Sequence, residues 1–350
     1  MSNCSPCRTV SFGVIAYNEQ DALPDLLEDL LNQTYPKERV EVILVDGDSS
    51  DRTPAIMNRF REKYCDIFRE IRVLNNPKRI QPAGWNVVIR HMTSDALLRI
   101  DAHARIPADF VESSISCLNT GEYVCGGPRE NIIDEDTPWK RLLLTAEQSM
   151  FGSGFAGYRQ ATEKKKYVKS VFHAAYRREV LDAVGLFNED LIRTEDNEFH
   201  YRVRNAGYKI CYDPAIHSFY QTRNSLKGML RQKYQNGFWI GRTLFVCPGC
   251  ISVFHLVPFA FVTAIGFTTV AAICGITWPA GALWFAYAAA NLGMTVASVL
   301  GQRERNCLSI ALPAVFLLLH LSYGAGTAAG LCSMIGEKAA AWRKDSQVPN

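Results

Sequence analysis

The sequence predicts two architectures in series: an α/β domain with a mostly parallel, doubly wound sheet, followed by a C-terminal α-helical transmembrane region. Three observations carry this. Up to Asp101, short apolar runs rich in Val, Ile and Leu alternate with amphipathic stretches, the pattern of βαβ units with right-handed crossovers. Polar clusters follow the apolar runs at once, as they do where a sheet offers its carboxyl edge to a ligand. Charge then disappears: from Thr243 to Gln302, and again from Asn306 to Gly336, there is no Asp, Glu, Lys or Arg. A lipid-crossing helix needs about 20 apolar residues, so this part has room for two to four membrane segments.

Each element has its own signal. Thr9–Ala16 reads as a strand. Asn18 is expected to cap a helix in which Leu23, Leu26, Leu27, Leu30 and Leu31 recur at helical spacing. Val40–Val45 is a continuous apolar strand ending at Asp46. Thr53–Tyr64 reads as a helix, Glu70–Leu74 as a strand, Pro82–His91 as a helix and Ala96–Ile100 as a strand stopped by Asp101. After Pro107 the pattern loosens. Tyr123–Gly127 reads as a strand, Gly152–Gly157 as a Gly-rich turn, Glu163–Lys166 as a solvated loop, and Arg177–Val184 as a helix ended by Gly185. The loops Tyr17–Glu19, Asp46–Asp51 and Asp101–His103 should therefore meet at one sheet edge. There, a carboxylate and an imidazole two residues apart can share a divalent cation, or one can hold it while the other holds its water.

Composition excludes some functions. A net charge of +3 gives no bulk electrostatic drive toward nucleic acid. Residues 1–8 are polar and Thr9–Ala16 is too short for a signal peptide, so the large domain is expected to be cytoplasmic. The eleven cysteines are scattered. Cys4/Cys7 and Cys247/Cys250 have zinc-knuckle spacing but stand far apart in sequence with no other ligands nearby, so incidental reduced thiols are the expectation.

Five motifs, in order, resemble a family 2 glycosyltransferase with the glycosyltransferase-A (nucleotide-diphospho-sugar transferase) fold, over roughly residues 8–242. The branch resembled is that of the succinoglycan-type exopolysaccharide transferases. The motifs are Val14-Ile15-Ala16-Tyr17-Asn18-Glu19; Asp46-Gly47-Asp48-Ser49-Ser50-Asp51-Arg52-Thr53; Asn75-Asn76-Pro77-Lys78-Arg79 with Pro82-Ala83-Gly84-Trp85-Asn86; Asp101-Ala102-His103; and Thr194-Glu195-Asp196. The resemblance implies that Ala16, Tyr17 and Glu19 contact the nucleoside and that Asp46 binds the nucleobase. It places Arg79 and Asn86 near the donor, with Arg79 reaching for the diphosphate. Asp101 and His103 would hold Mn2+ or Mg2+, the imidazole suiting Mn2+ better. Asp196, with Glu195 beside it, would be the catalytic base. Alternative readings stay open: Asp51 also suits a turn, and the acids at Glu195–Glu198 also suit a solvated helix start. Downstream, Arg231 and Gln232 fall where relatives cover donor and acceptor. Gln235-Asn236-Gly237-Phe238-Trp239 has Phe where processive synthases carry Arg in Gln-x-x-Arg-Trp, which argues for single-sugar transfer.

The boundaries expected are a catalytic domain at 1–242, a transmembrane region at 243–336 with segments near 251–276, 280–300 and 308–334, and a basic tail at 337–350. Arg303 and Arg305 place their loop in the cytoplasm by the positive-inside rule. Lys338, Arg343 and Lys344 draw the tail to the same side. Three full crossings would put it outside, whereas a break near Ser322–Gly326 would keep it inside; both readings stand. His255 and His320 are expected to be packed histidines. The activity expected is inverting, metal-dependent, non-processive transfer from a UDP-sugar to a polyprenyl-linked glycan at a bacterial-type plasma membrane, with no nucleic-acid partner. A polyprenyl-phosphate glycosyltransferase and a catalytically silent nucleotide-binding membrane scaffold are the alternatives.

Overall fold

The computed structural model describes residues 5–153, 163–302 and 306–345, with side chains up to residue 338. Cys4, Arg303, Arg305 and most of the Gly152–Gly157 turn lie outside the described residues. The chain divides into two units: Met1–Ile132 with Ala156–Gln221, and Ile133–Phe155 with Thr222–Asn350.

The first unit opens with β1 (Val10–Ala16), α1 (Leu23–Leu31), β2 (Val40–Asp46), α2 (Thr53–Tyr64), β3 (Glu70–Asn75), α3 (Gln81–His91) and β4 (Ala96–Asp101). β5 (Ala104–Arg105), α4 (Phe110–Asn119), β6 (Val124–Gly126) and β7 (Arg129–Ile132) follow. The chain then makes α5 (Pro138–Gln148) and α6 (Met150–Ser153), which belong to the second unit. It returns with β8 (Lys166–Val168), β9 (Ala174–Arg177), α7 (Arg178–Val184), α8 (Glu195–Asn205), β10 (Ile210–Tyr212) and β11 (Ser218–Gln221).

The main sheet runs β3-β2-β1-β4-β9-β6-β10-β8, and β5-β11-β7 form a smaller one. The first four strands are parallel, as the alternation predicts. β9 lies antiparallel between β4 and β6. Its four residues are all buried, too short a run to separate from the helix start expected at Arg177. Gly185 ends α7 with φ 82, a conformation open to glycine.

Side chains alternate across the sheet. Val10, Phe12 and Val14 of β1, with Leu98 and Ile100 of β4, join the leucines of α1 and α4 residues on one face. Leu97 joins Trp85, Val88, Phe187 and Phe199 on the other. Arg99 and Asp101 follow Leu97 by twos and share that second face. The expected helix cap at Asn18 is not found. α1 starts at Leu23 with no side-chain cap, because Asn18 Oδ1 accepts from the Ser50 N–H at 2.9 Å instead.

The second unit contains α9 (Leu226–Val246), α10 (Val257–Ile273), α11 (Trp278–Leu300) and α12 (Leu312–Asp345). Three stretches are long and apolar enough to cross a membrane: Val253–Ile273, Trp278–Leu300 and Cys307–Lys338. α12 runs unbroken through Ser322–Gly326. Two of its glycines, Gly326 and Gly330, have a packing reason. A Cβ on Gly326 would lie 2.1 Å from the Tyr234 carbonyl oxygen, and one on Gly330 2.0 Å from that of Phe238. Reciprocally, a Cβ on Gly237 would lie 2.0 Å from the Tyr323 oxygen. α9 and α12 thus meet backbone to backbone through small residues four apart, as helices do in lipid. Gly237, inside the Gln235–Trp239 stretch, is a packing glycine.

Candidate active site

The ends of four adjacent parallel strands form one edge. Ala16 is paired with Asp46, Ile15 with Asp101 and Asp46 with Asn75, so the loops after β1, β2 and β4 start side by side. They are stitched together. The Asn18 N–H donates to Ser49 Oγ at 2.9 Å, the Glu19 N–H to Thr53 Oγ1 at 2.8 Å and the Gly47 N–H to the Ala16 carbonyl at 2.8 Å. Asp46 accepts from the Ser49 N–H at 3.2 Å. Asp51 accepts from Thr53 N–H at 2.9 Å and Gln20 N–H at 3.1 Å, the turn role. Among the described residues the non-glycine positions with positive φ are Asn18, Asp48 and Arg79. Asn18 and Asp48 belong to these loops and Arg79 to the loop after β3, and unfavourable backbone held in place is characteristic of ligand sites.

Beneath the edge lies a buried charged pair. Arg99 donates to Glu195 Oε1 at 2.8 Å, and its guanidinium lies 4.8 Å from the Trp85 ring centroid and 5.4 Å from that of Phe187. Burial raises the Glu195 and Asp196 carboxyls above their ordinary values, against the pull of Arg99 on both. The two neighbours differ. Glu195 is 2% exposed and committed to Arg99, whereas Asp196 is half-buried and accepts one hydrogen bond, from the Asn197 N–H at 2.8 Å. Glu195 anchors the buried guanidinium, because an acid that turned away would leave Arg99 buried and unpaired.

Asp101 ends β4 above Arg99. Burial pushes its carboxyl up, but His173, His103, Arg99 and Arg129 together outweigh this and hold it below the ordinary aspartate value. No hydrogen-bond donor among the described residues reaches its carboxylate; His173 Nε2 lies 3.9 Å from Oδ2. His103 pairs through Nδ1 with Glu19 Oε1 at 3.1 Å and packs edge-on to Tyr220. His173 has only 2% of its side chain exposed, and neither ring nitrogen has a hydrogen-bond partner among the described residues. Burial pulls its pKa down to about 3, so the ring is neutral at physiological pH.

Arg79 is exposed and paired with Asp48, and Tyr17 is exposed beside the same loops. Asn86 is buried. Its amide donates to the Phe187 carbonyl and to Glu189 Oε1, both at 3.0 Å, and its Oδ1 accepts from the Phe187 N–H at 2.8 Å. Those bonds hold the loop before α8 and leave little for a ligand. Arg231 and Gln232 lie on α9, in the second unit. Sequence reasoning missed Arg99, Arg129 and His173. For Arg99 there was a signal, a lone charge inside the apolar run Ala96–Ile100.

No three His, Cys, Asp or Glu residues converge as a cation cage among the described residues. A cation carried by a diphosphate needs less: one or two protein ligands, with phosphate oxygens and water supplying the rest. An ionised, half-buried Asp101 without protein donors meets that requirement.

The model of the family described as glycosyl transferase family 2 matches residues 11–185. The chain is 28% identical over 323 residues to the dolichyl N-acetyl-alpha-D-glucosaminyl phosphate 3-beta-D-2,3-diacetamido-2,3-dideoxy-beta-D-glucuronosyltransferase of Methanococcus voltae, covering 90% of this chain and 95% of that protein. It is 28% identical over 315 residues to the succinoglycan biosynthesis protein ExoA of Rhizobium meliloti, covering 88% and 91%. A solved mannosyltransferase from Pyrobaculum calidifontis, in complex with GDP-Man and Mn2+, superposes with a TM-score of 0.59 at 20% identity over 92% of this chain and 89% of that one, which shows the shared glycosyltransferase-A fold. This chain belongs to glycosyl transferase family 2.

Proposed function

We propose that the protein transfers one sugar, with inversion, from a UDP-sugar to a hydroxyl of a lipid-linked glycan at the membrane surface. The observation that carries this reading is the placement of Asp101 and the Glu195–Asp196 pair around one buried guanidinium, Arg99. It is supported by the Methanococcus voltae relative, whose printed name gives a dolichyl-linked sugar phosphate as its substrate, and by three stretches apolar enough to anchor the chain.

Each residue has a physical task. Asp46, at the end of β2, accepts from the base imide N–H, with Ala16, Tyr17 and Glu19 along the nucleoside. Arg79 neutralises diphosphate charge. Asp101, with His103 on the same loop, would hold a divalent cation. That cation would supply positive charge to the nucleoside diphosphate as it leaves. Asp196 accepts the proton of the acceptor hydroxyl as its oxygen bonds to the anomeric carbon. The bond from that carbon to the donor phosphate oxygen breaks, and its electron pair leaves with the diphosphate. The raised Asp196 pKa makes it a stronger base than an ordinary aspartate. Arg99 and Glu195 hold the helix start from which it projects.

Asp196→Asn tests the assignment. Loss of transfer with UDP binding intact supports a hydroxyl acceptor. Near-normal turnover removes Asp196 from the mechanism and favours a phosphate acceptor, which is already ionised. Absence of UDP binding in the presence of Mn2+ would sink the proposal.

A further inference from the structure

His173 is the buried group that no task above uses. It stands just before β9, the antiparallel strand paired with β4, and so arrives from the opposite direction at the strand that ends in Asp101. Its Nε2 is 3.9 Å from Asp101 Oδ2. That gap is too long for a hydrogen bond. It does suit two ligands of one cation: with metal–ligand bonds of about 2.0–2.2 Å, two donor atoms on the same ion lie no more than about 4.4 Å apart. Both ring nitrogens are buried without a hydrogen-bond partner among the described residues. Leaving a buried polar atom unpaired costs free energy, so such an atom in a folded protein calls for an unseen partner. The surroundings fix where the ring can point. Phe172 packs edge-on to it at 4.7 Å, and Arg129 is clamped between the Phe172 and Tyr220 rings at 4.4 and 4.3 Å.

We infer that His173 is a direct ligand of the cation held by Asp101, so that the site takes a further protein ligand from just before β9, across the sheet. This rests on the proposal that the protein binds a divalent cation with its nucleotide. It adds a nitrogen donor outside the acid-x-His loop, which tilts the donor set toward Mn2+ over Mg2+.

The test is pulsed EPR on the full-length protein in detergent, loaded with Mn2+ and UDP, reading imidazole 14N coupling to the metal. The His103→Gln protein is expected to keep a nitrogen coupling, and the His103→Gln/His173→Gln protein to lose it, with Mn2+ binding about tenfold weaker. His173→Asp, which keeps a ligating atom and a compact side chain, should retain Mn2+ while losing the His173 coupling. A coupling already lost in His103→Gln, or unchanged when His173 is replaced, overturns the inference. In that case Asp101→Ala abolishing Mn2+ binding would leave the cation proposal standing. Wild-type protein that takes up no Mn2+ with UDP would overturn both.

Discussion

The two units bury different things. In the first, charged and polar side chains lie inside, several of them bonded to fixed partners. Arg99 meets Glu195, Arg177 donates to the carbonyls of Ser5, Leu118 and Glu122, and His200 is held between Ser170 Oγ and Tyr176 Oη, both at 2.8 Å. In the second, Lys233 and Glu147 make a buried ion pair at 3.0 Å, but α10 buries no side chain, α11 buries only Asn291, and α9 and α12 meet through glycine. A sheet domain in water has apolar cover to spare and can place a guanidinium under a reactive edge, provided every charge is paired. Helices facing lipid gain little from burying apolar surface, so contact depends on shape. One unit is organised around chemistry and the other around fit, and substitutions should separate them.

The largest effects should be catalytic and confined to the first unit. Asp196→Asn should lower kcat by about 10^2- to 10^4-fold with an unchanged melting temperature, checked by initial rates and thermal unfolding in detergent. Next comes the buried pair. Arg99→Met alone should cost about 3–5 kcal/mol by stranding Glu195, and Arg99→Met/Glu195→Met should recover most of it; a denaturant double-mutant cycle reads the difference. If the single substitution proved silent, the claim that the first unit depends on paired charge would fall. In the second unit, Gly326→Leu should cost about 1–3 kcal/mol through overpacking while leaving Mn2+–UDP binding as it was, by calorimetry.

The pH dependence of stability should follow the same divide. Burial holds the His200 pKa at about 3, below the ordinary value of 6.5. The unfolded chain therefore takes up a proton first as pH falls. Stability is full above about pH 6.5 and declines toward pH 3, by about 1.4 kcal/mol per pH unit for this group. His200→Gln should flatten that slope in melts run from pH 7 to 4. The smallest change expected is that His103→Asp keeps part of the activity and moves the preference toward Mg2+, read as the ratio of rates with the two metals.

Much of this was legible. Thr53–Tyr64 was predicted to both ends, and β1 to β4 to within a residue or two, because their signals are local: a run of branched apolar residues, a periodic leucine stripe, a Pro at a helix start. The gathering of three loops at one edge follows from parallel strands alone. Other features were not legible. β9 has only four residues, and the excursion through α5 and α6 leaves no break in composition. Asn86 was drawn toward the donor by its motif, whereas its amide is spent on Phe187 and Glu189. Asn18 was read as a cap because a local role was the simplest one, yet its partner lies across the loop at Ser50.

By itself, the sequence determined the parallel half-sheet, the charge-free helices, and the acids at Asp46, Asp101 and Asp196, all properties of neighbouring residues and their periodicity. Only the tertiary structure decided which side chains face each other. It set Arg99 against Glu195, and His173 within 3.9 Å of Asp101. Those pairs come from strands and helices far apart in the chain, and their meeting depends on strand order, register and the face each residue takes, which no local pattern encodes.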